Sequence, residues 1–92
     1  MKKQELMKTA LSTYGAESQT LMVFEEMSEL QKELCKYARG KAAVASIAEE
    51  IADVRIMLDQ MAILHNCEYL CHAYEQAKLK RLARRLGVEY GK

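Results

Sequence analysis

How this chain folds is set mainly by residues 22–37 (MVFEEMSELQKELCKY) and residues 46–64 (SIAEEIADVRIMLDQMAIL). In both stretches apolar residues recur every three or four positions, which is the period of one face of an α-helix. The chain has 92 residues and no proline, so no position forbids a long helix. No segment alternates apolar and polar residues as a half-buried strand does. The two stretches therefore predict a pair of long amphipathic helices.

The rest of the sequence predicts two more helices around this pair. The four helices are expected over about residues 2–14, 17–39, 46–65 and 67–86. Ser46 and Glu49 form a capping-box pattern that would open the third helix. Asn66 is expected to break the chain and to cap the fourth helix. Together these features predict an all-α protein, a compact bundle of about four helices that forms one domain over residues 1–92.

Acidic residues lie inside the apolar stripes of the two long helices. At about 100° per residue, Glu26 falls in the middle of the second helix's stripe and Glu29 falls at its edge. Glu50 and Asp53 repeat this arrangement on the third helix. If the two helices pack antiparallel through these stripes, the four carboxylates converge, and burying them without a compensating cation is costly. Oxygen ligands select hard cations, so the pattern predicts Mg²⁺, with Mn²⁺ as a substitute.

Pairs of acids and clusters of cysteine and histidine also have interpretations that do not involve a metal. A single pair of acids three residues apart is common on a solvated helix face, and it is the repetition on two helices that favours a metal site. His65, Cys67, Cys71 and His72 cluster in the sequence, but they contain no C-x-x-C pair. We therefore interpret the cysteines as reduced thiols rather than as ligands of a structural zinc ion.

The two acidic segments also resemble a known family motif. EEMSE at residues 25–29, followed by EIAD at residues 50–53, resembles the EExxE…ExxD signature of MazG-like nucleoside triphosphate pyrophosphohydrolases. These enzymes belong to the all-α NTP pyrophosphatase superfamily. YG at residues 14–15 and KLKRL at residues 78–82 are similar to segments of its short phage and bacterial members. The likeness covers most of the chain.

The resemblance implies a role for each acid of the motif. The metal ligands would be Glu26, Glu29, Glu50 and Asp53. Glu25 matches the first acid of EExxE, and with Glu26 it would be catalytic, by positioning water beside the metal. The implied reaction is the Mg²⁺-dependent hydrolysis of an NTP or dNTP to the corresponding monophosphate and pyrophosphate.

Residues outside the acid motif are candidates for substrate binding. Lys78 and Arg81 match the family's basic segment and, with Tyr74 beside them, would hold the triphosphate. A solvated basic helix end is an equal alternative, because cations suit the C-terminal end of the helix dipole. Gln19 would border the nucleobase, although a role in the helix start or the core is as good an interpretation.

Charge and composition limit the class of partner. Residues 1–77 carry eight Lys and Arg against twelve Asp and Glu, whereas residues 78–92 carry six against one. An acidic body with one basic end argues against binding of a nucleic-acid backbone. No apolar run reaches the length of a membrane-spanning helix, so no membrane partner is expected. The odd, sparse cysteines predict a cytoplasmic protein.

Apolar residues on a second side of the third helix predict self-association. Ile56 and Ile63 lie there, and a lone bundle of this size would leave them partly exposed. The expected assembly is a homodimer or a homotetramer, as the family resemblance also implies. The alternative to the enzyme is a non-catalytic MazG-like module that binds nucleotides or a partner protein.

Overall fold

The computed structural model describes residues 1–41 and 43–91 and contains four α-helices. They are α1 (Lys3–Tyr14), α2 (Ala16–Ala38), α3 (Val44–Leu64) and α4 (Glu68–Leu86). No strand forms within these residues, and each helix end lies within two residues of its predicted position. None of the four combines the length and hydropathy that crossing a membrane requires. The predicted all-α bundle of four helices is confirmed.

A single residue, Gly15, joins α1 to α2. Its φ of 91° is one that residues with a side chain rarely adopt. The Gly15 N–H donates to the Leu11 carbonyl oxygen at 2.9 Å and ends α1. The Gly15 carbonyl oxygen accepts from the Gln19 N–H at 3.1 Å and starts α2. The one-residue junction between α1 and α2 therefore depends on a glycine at this position.

Two predicted helix starts are wrong in detail. α3 begins at Val44 with Ala43 at its N-cap, so Ser46 lies inside the first turn and no side chain caps this end. The reason is that the Ser46 N–H donates to the Ala43 carbonyl oxygen at 3.1 Å, which extends the helix upstream. Asn66 breaks the chain, but Cys67 is the N-cap of α4. Asn66 instead takes a φ of 52°, which asparagine tolerates better than most residues.

The core lies where α2 and α3 pack against each other, with α1 against both. Its buried apolar side chains are few and include Met7, Val54 and Met57. Gln19 and Gln60 are buried beside them, and Nε2 of Gln19 donates to Oε1 of Gln60 at 2.7 Å. This bond joins the start of α2 to the end of α3, so the two helices run antiparallel, which is the condition for their acids to converge.

α4 is the least covered helix. In the described part of the chain, only α3 packs along it, while α1 reaches it through Gln4, whose Nε2 donates to the Glu68 carboxylate at 3.3 Å. Leu82 and Leu86 have the helical spacing that predicts a buried stripe, but they are 49% and 67% exposed, so this prediction is wrong. The physical reason is that no second helix lies over this face.

The C-terminal tail folds back onto α4. Gly87 ends the helix in the left-handed conformation, with a φ of 72°. The Val88 N–H donates to the Ala83 carbonyl oxygen at 2.9 Å, and the Tyr90 hydroxyl donates to Oε1 of Gln76 at 3.5 Å. Ala83 is the buried residue of α4, and the tail residues lie against it. The tail is therefore held on α4 by one backbone and one side-chain hydrogen bond.

Candidate metal centre

Three carboxylates meet between α2 and α3. Glu26 comes from α2, whereas Glu50 and Asp53 come from α3, and all three are half-buried. One oxygen of each side chain lies within 4.8 Å of an oxygen of the other two. Within residues 1–41 and 43–91, this is the one group of three or more His, Cys, Asp or Glu side chains with such spacing. We call Glu26, Glu50 and Asp53 the acidic cluster.

Helix geometry explains why these side chains meet. Glu50 and Asp53 are three residues apart and therefore share one face of α3. Glu26 follows Gln19 by seven residues, and Asp53 precedes Gln60 by seven. Because Gln19 and Gln60 are hydrogen bonded and the helices are antiparallel, Glu26 and Asp53 are each about two turns from that bond and face each other. The buried amide pair thus sets the register that brings the acids together.

Burial and mutual repulsion raise the pKa of two members of the cluster. For Glu26 the largest cause is burial, followed by the charge of Asp53 and a hydrogen bond with that residue, and then by the charges of Glu50 and Glu25. For Glu50 the raised pKa comes first from burial and then from the charges of Asp53 and Glu29. Every neighbouring charge acting on these two groups is negative.

No basic side chain compensates the acidic cluster in the part of the chain that the structure describes. The ion pairs there, Lys3–Asp59 at 2.9 Å and Lys36–Glu33 at 3.3 Å, use other acids. Oε2 of Glu50 is buried and accepts no hydrogen bond from a described group. A buried acceptor without a partner is costly, and carboxylate oxygens are the ligands that Mg²⁺ prefers. The residues present therefore fit a hard divalent cation.

Other acids surround the cluster without joining it. Glu29, the fourth predicted ligand, is exposed and outside the 4.8 Å group, although its charge raises the pKa of Glu50. Glu25 is exposed, and its charge raises the pKa of Glu26. Glu33 was not predicted as a site residue, yet its carboxylate also raises the pKa of Glu50. The signal for Glu33 was its helical angle, which lies within about 20° of that of Glu26.

The predicted substrate-binding residues lie in two separate places. Lys78, Arg81 and Tyr74 are exposed on α4, and a shallow groove beside Tyr74 and Lys78 is lined by α4 alone. The described structure records no hydrogen bond or ion pair between these side chains and the acidic cluster. Gln19 is buried and bonded to Gln60, so a structural role accounts for its position. Contact of these four residues with a substrate stays a prediction.

Comparison with known proteins provides no relative from which to infer function. No family model matches the chain, and neither a curated protein nor a solved structure matches it. The resemblance to MazG-like enzymes therefore stays a prediction from the sequence motif.

Proposed function

We propose that this chain is a MazG-like, Mg²⁺-dependent nucleoside triphosphate pyrophosphohydrolase that also accepts Mn²⁺. Its reaction converts an NTP or dNTP and water to the monophosphate and pyrophosphate. The observation that carries the proposal is the convergence of Glu26, Glu50 and Asp53 without a compensating cation. The cytoplasm is the proposed location, because all three cysteines are free thiols.

In this proposal the acidic cluster holds the metal. Glu26, Glu50 and Asp53 provide the ligands that are already close together, and the partnerless Oε2 of Glu50 is one of them. Glu29 is three residues from Glu26 on the same helix, and its exposed side chain is free to turn toward the cluster. When bound, Mg²⁺ neutralises charge on the phosphate oxygens and lowers the pKa of a water molecule.

The remaining chemistry falls to residues at the edge of the cluster. Water attacks the α-phosphorus, the bond from that phosphorus to the bridging oxygen breaks, and pyrophosphate leaves. Glu25 is exposed and adjacent to Glu26, so its carboxylate can orient the water and accept its proton. The groove beside Glu25, lined also by Tyr14, Leu21 and Met22, offers an apolar surface for the nucleoside.

Self-association is the second part of the proposal, and it is supported by the exposed surface. The accessible area of 7327 Å² exceeds the roughly 5,400 Å² expected for a compact monomer of 10.5 kDa. The difference, about 1,900 Å², matches what one protomer contributes to a large homodimer interface. Ile56, which is 46% exposed, and the uncovered Leu82 and Leu86 of α4 provide apolar surface for a homodimer or a homotetramer.

An oligomer would also place cations beside the acids. Lys78 and Arg81 stand on the poorly covered α4, and the acidic cluster has no cation from its own chain among the described residues. We propose that α4 of a second copy brings Lys78, Arg81 and Tyr74 to the cluster to hold the triphosphate.

Pyrophosphate release from a panel of canonical and modified nucleoside triphosphates, with and without Mg²⁺, tests the enzyme. Glu50→Gln should lower the rate by about 100-fold or more, because several kcal/mol of charge stabilisation depend on the metal. Glu49→Gln is the matched control, since Glu49 is the exposed neighbour of Glu50 on the same helix. Equal rates for Glu50→Gln and the wild type would refute the proposal. Nucleotide binding without turnover would identify the non-catalytic module instead.

Mixing two inactive variants tests the shared site. In a dimer of one Glu50→Gln and one Arg81→Ala subunit, one of the two sites contains both intact residues. Random mixing should therefore restore about a quarter of the wild-type activity. No recovery after confirmed subunit exchange would mean that each site is built from a single chain.

A further inference from the structure

Two cysteines form a thiol pair at the start of α4. The sulfurs of Cys67 and Cys71 are 3.8 Å apart, and one thiol donates a hydrogen bond to the other. This hydrogen bond, followed by burial, raises the pKa of the Cys67 thiol. Cys71 is exposed and Cys67 is half-buried, whereas the third cysteine, Cys35, lies apart from them on α2. The pair lies outside the acidic cluster and has no role in the proposed catalysis.

The backbone at Cys67 allows the two sulfurs to approach further. Cα atoms four residues apart in a helix are separated by about 6 Å, within the range of about 4.4–6.8 Å that disulfides span. The sulfurs must move about 1.8 Å closer to reach the bonded distance. Cys67 is the N-cap of α4, with φ −126° and ψ 23°, and it follows the left-handed Asn66. Its side chain can therefore move without breaking a regular helical turn on its N-terminal side.

We propose that Cys67 and Cys71 form a reversible dithiol–disulfide pair that responds to peroxide. The exposed Cys71, as its thiolate, attacks one oxygen of hydrogen peroxide, the O–O bond breaks, and a sulfenic acid forms. The departing hydroxide takes up the proton that the thiol had released and becomes water. The Cys67 sulfur then attacks the Cys71 sulfur, and the hydroxyl group leaves as a second water. In total the two thiols lose two protons and two electrons, which is two hydrogen atoms, and the peroxide is reduced to two waters. A dithiol reductant reverses the bond.

The bond would act on the corner where α4 is attached to the bundle. Glu68, which accepts the hydrogen bond from Gln4 of α1, lies between the two cysteines in the sequence. Cys71 lines a cleft of about 440 Å³ between α1, α3 and α4. Oxidation would therefore link the α3–α4 connection covalently to the first turn of α4. This is the part of α4 that lies against α1 and α3.

Peptide mapping of the full chain after mild peroxide treatment tests this proposal. Oxidation should lower the mass by about 2 Da, the mass of two hydrogen atoms. Trypsin releases residues 56–78, which contain both Cys67 and Cys71 but not Cys35. Cleavage after Glu68 then separates the two cysteines. In the oxidised sample the two fragments should stay joined until a reductant is added.

Variants identify the sulfurs involved. Cys35→Ser should form the linked fragments as the wild type does, whereas Cys67→Ser and Cys71→Ser should not. The proposal is overturned if three thiols stay reactive after peroxide treatment. It is also overturned if the product is a cross-link through Cys35, or if the cysteines go directly to sulfinic acids without a linked peptide.

Discussion

The buried amide pair between α2 and α3 permits a quantitative test of how the bundle is held. Gln19 and Gln60 are 6% and 5% exposed, and the bond between them is 2.7 Å long. Gln19→Leu removes the donor and leaves Oε1 of Gln60 buried without that partner. Gln60→Leu does the converse to Nε2 of Gln19. Each single variant therefore retains a buried polar group that has lost its hydrogen bond.

The size of the effect follows from that burial. A buried polar group without its partner costs about 1–3 kcal/mol of the free energy of unfolding. For a domain of this length, each kcal/mol lowers the melting temperature by about 4–8 °C. Replacing both glutamines with leucine removes both polar groups at nearly constant shape, so the double variant should be about as stable as the wild type.

Urea unfolding of the four proteins measures this coupling directly. Protein concentration must be held constant, because self-association would make the midpoint concentration-dependent. We expect the double variant to recover at least about 1 kcal/mol relative to the sum of the two single losses. If the two single losses of unfolding free energy simply add, the two amides do not depend on each other. The amide pair would then not set the register that brings the acidic cluster together.

The same variants separate the two roles considered for Gln19. If the double variant is stable but binds a nucleoside triphosphate more weakly, Gln19 contacts the nucleotide as the sequence predicted. If stability and nucleotide affinity are both retained, Gln19 serves only to join α2 to α3.

Three further predictions concern the acids and the α3–α4 connection. The pKa values of Glu26 and Glu50 are raised from an ordinary value of 4.5. Without metal, the free energy of unfolding should therefore be highest below pH 4.5 and should fall as the pH rises through the raised pKa values. Urea titrations in a chelator should show this decline, and an equal decline in Glu50→Gln would contradict it. Mg²⁺ at 100 times its Kd should raise the free energy of unfolding of the wild type by about 2.7 kcal/mol in scanning calorimetry. It should leave that of Glu50→Gln unchanged, and equal increases in both proteins would mean that the metal binds elsewhere. Asn66→Gly should lower the free energy of unfolding little, and Asn66→Val should lower it by about 1 kcal/mol more, because φ at this residue is 52°. Equal melting temperatures for the two variants would count against the left-handed conformation.

Hydrophobic periodicity was sufficient to predict the four helices, because the helices are long and regular. It could not show which apolar stripes find a neighbour. Leu82 and Leu86 have the spacing of a buried stripe, yet coverage depends on whether another helix lies over them, and in one chain none of the described helices does. The start of α3 was also missed, since Ser46 matches a cap while the residues before it continue the helix equally well.

Helical angles predicted the acidic cluster because two straight helices keep those angles along their length. They could not decide which edge residues join it. Glu29 and Glu33 lie on the same side of Glu26 around the helix, and in the folded protein Glu29 is exposed while Glu33 pairs with Lys36. The partner of Gln19 lies 41 residues away in the sequence, so its buried bond had no local signal.

The folded-back tail determines where local unfolding of α4 begins. Val88 and Tyr90 of the tail are hydrogen bonded to Ala83 and Gln76 of α4, so shortening the chain before Val88 would remove both bonds. The loss would leave the α2–α3 contact untouched and would start fraying at the cationic end of α4. Amide exchange should then speed up first around Arg84 and Arg85 and spread toward the thiol pair, with the rest of the protein still protected.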